Sequence, residues 1–183
     1  MDAGRVSETG GERSTEPLAV ASGKTHNMNE NYAELITKFP LFKGFTVNGA
    51  NRLLKSGEVI QHAARDVLLK EGDKADFVLL LLAGKLEVFV TRNGKDVVLT
   101  ETKPGTITGE LAVLCGIPRS ASVRADAPST VLKWSDEAFR TLLLRDPSLS
   151  HRIFSQILRT LVDKERALID SLITAQRVGK YSK

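Results

Sequence analysis

The chain has 183 residues, 42% of them hydrophobic, and a formal net charge of +4. That length supports a sizeable core in one domain, and the mild charge without any block of five like residues argues against a nucleic-acid footprint. A single cysteine, Cys115, excludes an internal disulfide framework and a cysteine-ligated zinc or iron–sulfur site.

Residues 1–29 are rich in Gly, Ser, Thr, Glu and Asn around one apolar patch, Pro17 to Ala21, and are expected to form a disordered tail. Gly23-Lys24-Thr25 imitates the end of a phosphate-binding Walker loop. Leu18 stands where that loop needs its first glycine, and no strand precedes it, so the motif is set aside. With no basic start before an apolar stretch and no run of about 18 apolar residues, neither a secretory signal nor a membrane span is expected, and the expected location is cytoplasmic.

A domain is expected over residues 30–175. Tyr32, Leu35, Ile36 and Phe39 recur at helical spacing until Pro40, and a second short helix is expected from Val47 to Leu54. Short apolar runs then follow: Val59-Ile60, Asp66 to Leu69, Phe77 to Leu82, Leu86 to Val90, Val97 to Leu99, Ser122 to Arg124 and Val131 to Trp134. Turn signals at Gly57, Gly72-Asp73, Gly84, Asn93-Gly94 and Pro104-Gly105 separate them. Strands so short and so evenly spaced suggest a barrel or jelly roll on the scale of eight strands. Asn93-Gly94 reads as a tight hairpin, since both residues tolerate positive φ. Ser135 is placed to cap a helix reaching about Arg145, and Asp146-Pro147 to start a last helix running to about Ala175. A basic tail is expected over 176–183.

One cassette interrupts the strand series. Gly109-Glu110-Leu111-Ala112 is followed by Pro118-Arg119-Ser120-Ala121. Gly109 permits a tight turn with close backbone approach, and the first N–H groups of a short helix would face an anion there. Arg119 offers a planar fork for two phosphate oxygens, and Glu110 an acceptor for a sugar hydroxyl. The set suits a nucleotide with one phosphate charge beside a ribose, and a sensor rather than a catalyst. His26, His62 and His151 are scattered, with no Ser–His–Asp or paired-carboxylate order, so no enzyme is expected.

From about Leu41 to Arg166 the chain resembles the cyclic nucleotide-binding domain of the catabolite activator protein and protein kinase A regulatory subunits. The resemblance rests on the glycine–glutamate cassette, the arginine nine positions after the glutamate, and the turns at Gly72-Asp73 and Gly84. It implies a mainly β fold with flanking helices: an eight-stranded β-roll with N-terminal helices, an inserted phosphate-binding cassette and two C-terminal helices. It implies that Arg119 pairs with the cyclic phosphate, that Glu110 holds the ribose 2′-hydroxyl, and that Gly109, Leu111 and Ala112 line the turn. Ser120 would stand beside the phosphate and base, with Ala121 packed against the ligand. The chain departs from the family pattern at Thr108, usually aromatic, and Thr106, often aspartate. The ligand implied is cAMP, with cGMP the alternative; a ligand-free scaffold of the same fold is the alternative function.

The last helix is expected to lid the base. Its apolar stripe comprises Phe154, Ile157, Leu158, Leu161, Val162, Leu168, Ile169, Leu172 and Ile173. The steps Leu158, Leu161, Glu165, Leu168 place Glu165 on that seam as a possible base contact. Phe154, Leu158, Leu161, Leu168 and Leu172 also step like a coiled-coil seam, which suggests a homodimer. No helix pair for a DNA groove is expected, so direct DNA binding is not; output would pass to an unidentified effector protein through movement of the last helix.

Overall fold

A computed structural model describes residues 31–180; the expected tail at 1–29 and residues 181–183 lie outside the described part. Helix α1 covers residues 31–38, and Pro40–Phe42 form a single 3-10 turn. Helix α2, Val47–Lys55, begins where the Thr46 hydroxyl accepts from Gly49 N at 3.1 Å, the usual N-cap arrangement.

Eight strands follow: β1 Glu58–His62, β2 Val67–Leu69, β3 Phe77–Ala83, β4 Leu86–Arg92, β5 Lys95–Thr102, β6 Ile107–Thr108, β7 Ser122–Ala125 and β8 Ser129–Ser135. They form two four-stranded antiparallel sheets, in the orders β1-β8-β3-β6 and β2-β7-β4-β5. The mainly β roll with flanking helices is thus present. The apolar runs mark seven of these strands. The eighth, β6, has only two residues, pairing with Leu79 and Leu80, too few for any periodicity to register. Asn93 and Gly94 turn β4 into β5 with φ of 53° and 72°, as the hairpin reading requires.

Strand β3 explains the architecture. Its even-numbered residues Val78, Leu80 and Leu82 join a core with Ile36, Phe42, Leu53, Trp134, Phe139, Leu149 and Ile153, between sheet and helices. Its odd-numbered Leu79 and Leu81 face inward, with Leu69, Leu86, Val123 and Val131, between the two sheets. A strand covered on both faces needs a continuous apolar run rather than an alternating one, hence Phe77 to Leu82. Glycine is required at the β3–β4 turn: Gly84 has φ +90°, and a Cβ there would lie 2.3 Å from Ser129 Oγ.

The cassette forms helix α3, Glu110–Cys115, between β6 and β7. Helix α4, Asp136–Arg145, is capped by the Ser135 hydroxyl accepting from Ala138 N. Helix α5 spans Pro147–Lys180, with Asp146 Oδ1 accepting from Leu149 N at 2.9 Å. It continues five residues past the expected end at Ala175. Gly179 costs a helix interior only about 1 kcal/mol and does not stop it, so residues 176–180 of the expected basic tail are helical.

The face of α5 applied to the roll also differs from the expected stripe. Leu149 and Ile153 are buried and Ile157 packs partly against the core. Phe154, Leu158, Leu161, Val162, Leu168, Ile169, Leu172 and Ile173 are all exposed, Leu158 and Leu168 to 61% and 65%. Among the described residues the roll buries apolar side chains of only the first turns of the helix, as far as Ile157. An apolar stripe records that a face is to be covered without recording by what.

Candidate functional site

Arg119 is 4% exposed and is held from several sides. Its Nη1 donates to Gly109 O at 2.7 Å and its Nη2 to Phe77 O at 2.6 Å. Its carbon Cζ lies 4.9 Å from the centre of the Phe77 ring. Its backbone is clamped to the Gly72-Asp73 turn, donating N–H to Asp73 O at 2.9 Å and accepting from Gly72 N at 2.8 Å. A guanidinium carries five N–H donors, so these two side-chain bonds orient it while leaving donors for an anion. Among the described residues no carboxylate forms an ion pair with it. Burial pulls its pKa below the ordinary arginine value, opposed by the charges of Asp76, Glu110 and Asp73. A buried cation without a paired anion is costly, and a bound phosphate would supply one.

Gly109 opens α3 with φ +86°, and a Cβ on it would stand 2.7 Å from Arg119 Nη1. The cassette glycine and the arginine therefore fit one another. Glu110 follows, half-buried. Burial pushes its carboxyl above the usual carboxylate range, opposed by a hydrogen bond from its own backbone and by the charges of Lys164 and Arg119.

These groups border a cavity of about 190 Å³. Gly109, Glu110, Leu111, Ala112, Arg119, Ser120 and Ala121 all line it. Glu165 does not; it is exposed, and the neighbouring Lys164 reaches the cavity instead. The correction follows from helix geometry. The cavity-facing line on α5 runs Ile153, Gln156, Ile157, Thr160 and Lys164, and one residue further on turns about 100° away. Sequence reading passed over Gln156, Thr160 and Lys164, whose signal was a polar i, i+4, i+8 row beside the buried Ile153 and Ile157. It also passed over Thr100 and Thr102 of β5. Both departures from the family pattern, Thr106 and Thr108, lie on the wall, and the buried Thr108 Oγ1 has no hydrogen-bond partner among the described residues.

His62 sits 3.6 Å from Asp66, and His151 is exposed; neither lines the cavity. His26 lies outside the described residues.

Glu110→Gln provides a check on this environment. A carboxyl whose folded pKa is raised contributes stability below its unfolded value, about 4.3, and loses it as pH rises through the folded value. The variant without ligand is expected to melt higher than wild type at neutral pH, with the difference vanishing in acid. Melting curves across pH 3–8 test this, and an unchanged difference throughout would refute it.

A β-roll with a buried arginine and a carboxylate at one cavity has the chemistry to hold a small anionic ligand. Residues 59–146 match the family model of the cyclic nucleotide-binding domain, and this segment of the chain belongs to that family. Over 116 residues the chain is 34% identical to a cAMP-dependent protein kinase regulatory subunit of Blastocladiella emersonii. That alignment takes in 63% of this chain and 28% of the relative, so the chain spans well under a third of its length. The catabolite activator protein of Thermus thermophilus superposes with a TM-score of 0.66 at 26% identity, covering 73% of this chain and 62% of that one. A cyclic nucleotide-binding domain from Methylobacillus flagellatus gives 0.62 at 27% identity, covering 81% and 84%.

Proposed function

We propose that the chain is a non-catalytic cyclic nucleotide sensor, with cAMP as its preferred ligand, that signals through movement of α5. The observation that carries the reading is Arg119: a buried guanidinium, pre-oriented by two carbonyls and unpaired by any described carboxylate, on the wall of a cavity it shares with Glu110. Phosphate would pair with Arg119 and the ribose hydroxyl would donate to Glu110. Gln156, Thr160 and Lys164 bring α5 to the same cavity, so a bound ligand would touch both cassette and helix. Differential contact of that kind is what shifts a helix between two positions. The preference for cAMP follows the family resemblance and the named ligand of the Blastocladiella relative. Side-by-side calorimetric titration with cAMP and cGMP tests the reading. Saturable binding with cAMP tighter is expected. Tighter cGMP binding would reverse the base assignment, and no binding of either would make the domain a ligand-free scaffold.

Output would pass to an effector protein, in the cytoplasm. Among the described residues no helix is long and apolar enough to cross a membrane. The exposed row Phe154, Leu158, Leu161, Leu168 and Leu172 on α5 supports a homodimer built along that helix, since exposed apolar patches of this kind mark interaction sites. Sedimentation equilibrium is expected to give a dimer for wild type and a monomer for the double variant Leu161→Glu, Leu168→Glu. A monomeric wild type at micromolar concentration would remove the dimer.

A further inference from the structure

We infer that Arg140, on α4 and outside the cavity, is a positioning residue that ties the cassette to the C-terminal helices. The inference rests on the cyclic nucleotide reading of the site. The last carbonyls of any helix have no partner within it. In α3, Ala112 O accepts from the N–H groups of Gly116 and Ile117. Val113 O is met from another element: Arg140 Nη2 donates to it. The same guanidinium donates through Nε to Asp136, one turn back along α4, which fixes its direction.

The Arg140–Asp136 pair is half exposed, with side-chain exposures of 46% and 42%, and such a pair contributes little by itself. The bond to Val113 O is of a different kind. It is charge-assisted, it places a cation at a helix C-terminus, and it crosses between two elements 27 residues apart in the chain. Beside it the Val113 side chain, 1% exposed, enters the core that holds Phe139, Leu143, Leu149 and Ile153. The cassette and α4 thus contribute to the same core and are joined by one directed hydrogen bond. Helix α4 packs in turn on α5.

The opposite end of α3 borders the cavity through Gly109, Glu110, Leu111 and Ala112. Arg119 is bonded to the Gly109 carbonyl at the start of α3, so any shift of the guanidinium toward a bound phosphate would draw that carbonyl, and α3 with it. Either the Arg140–Val113 bond breaks or α4 follows the cassette. Arg140 therefore transmits occupancy of the cavity to α4 and α5 along a route separate from direct contact of ligand with α5.

Hydrogen–deuterium exchange of wild type, Arg140→Ala and Arg140→Lys, each with and without saturating cAMP, tests this, alongside calorimetric affinities. In wild type, cAMP is expected to alter exchange at residues 109–119 and at 136–153. In Arg140→Ala the response at 109–119 persists, that at 136–153 falls by at least half, and affinity drops about three- to tenfold. Lysine keeps the charge and one donor, and restores part of the 136–153 response. A merely structural role would raise exchange in both states and leave the cAMP-induced difference intact, which would overturn the inference. Wild type that binds neither cAMP nor cGMP would remove the functional reading and this inference with it. Wild type that binds, beside an Arg140→Ala variant that responds in full at 136–153, would remove this inference alone.

Discussion

Replacing Arg119 with alanine is expected to weaken cyclic nucleotide binding by about 2–4 kcal/mol, roughly thirty- to several-hundred-fold. The size follows from burial. At 4% exposure the guanidinium is shielded from competing water, so its bonds to a phosphate would be charge-assisted in a low-dielectric setting. The variant also leaves Gly109 O and Phe77 O without the donors that meet them at 2.7 and 2.6 Å, and releases the turn that sets the cassette. Lysine should not restore binding, because a single ammonium lacks the fork that bridges two carbonyls and an anion at once. Glu110→Ala is expected to cost less, since it removes one hydroxyl acceptor and relieves a buried charge. Calorimetry on folded protein checks the order; equal affinity in Arg119→Ala and wild type would refute the site.

Replacing Trp134 with alanine is expected to lower the unfolding free energy by about 3–5 kcal/mol. Trp134 is fully buried. Its indole N–H donates to Leu53 O at 3.2 Å and to Ser56 Oγ at 3.0 Å, and its ring lies 6.2 Å from that of Phe139. One side chain thus joins β8 to α2 on one side and α4 on the other. Gly57 lies against the ring, where a Cβ would stand 2.8 Å from Cδ1, so a cavity left by alanine has little means of closing. Urea denaturation should show a lower midpoint at unchanged slope; a loss under about 1 kcal/mol would contradict this account of the core.

Much of the roll was legible because local chemistry decides it. Asn93-Gly94 has the backbone freedom its hairpin needs, Ser135 and Asp146 carry capping oxygens, and Phe77 to Leu82 is apolar throughout because both its faces are covered. The cassette was legible for the same reason: Gly109 and Arg119 are constrained by each other within a short stretch of chain. What escaped notice depends on partners distant in sequence. The two residues of β6 are a strand only because β3 lies beside them. Lys164 rather than Glu165 meets the cavity because the rotation of α5 is set by Leu149 and Ile153 seating in the helical core, while the stronger apolar row points elsewhere. Arg140 looked like any surface arginine until its partner proved to be a carbonyl of the cassette.

Among the described side chains, those of α5 that are buried on the roll lie near its N-terminal end, and this has a mechanical consequence. Its contacts with the roll reach Lys164 at the cavity rim, and the buried ones end near Ile157, yet the helix continues to Lys180. At 1.5 Å per residue the overhang beyond Ile157 is roughly 35 Å long. A pivot of about ten degrees at its seat would sweep the far tip by roughly 6 Å over such a length. In the proposed function the helix would act as a lever arm, amplifying small changes at the roll into displacements large enough to be felt by a partner at the distal end.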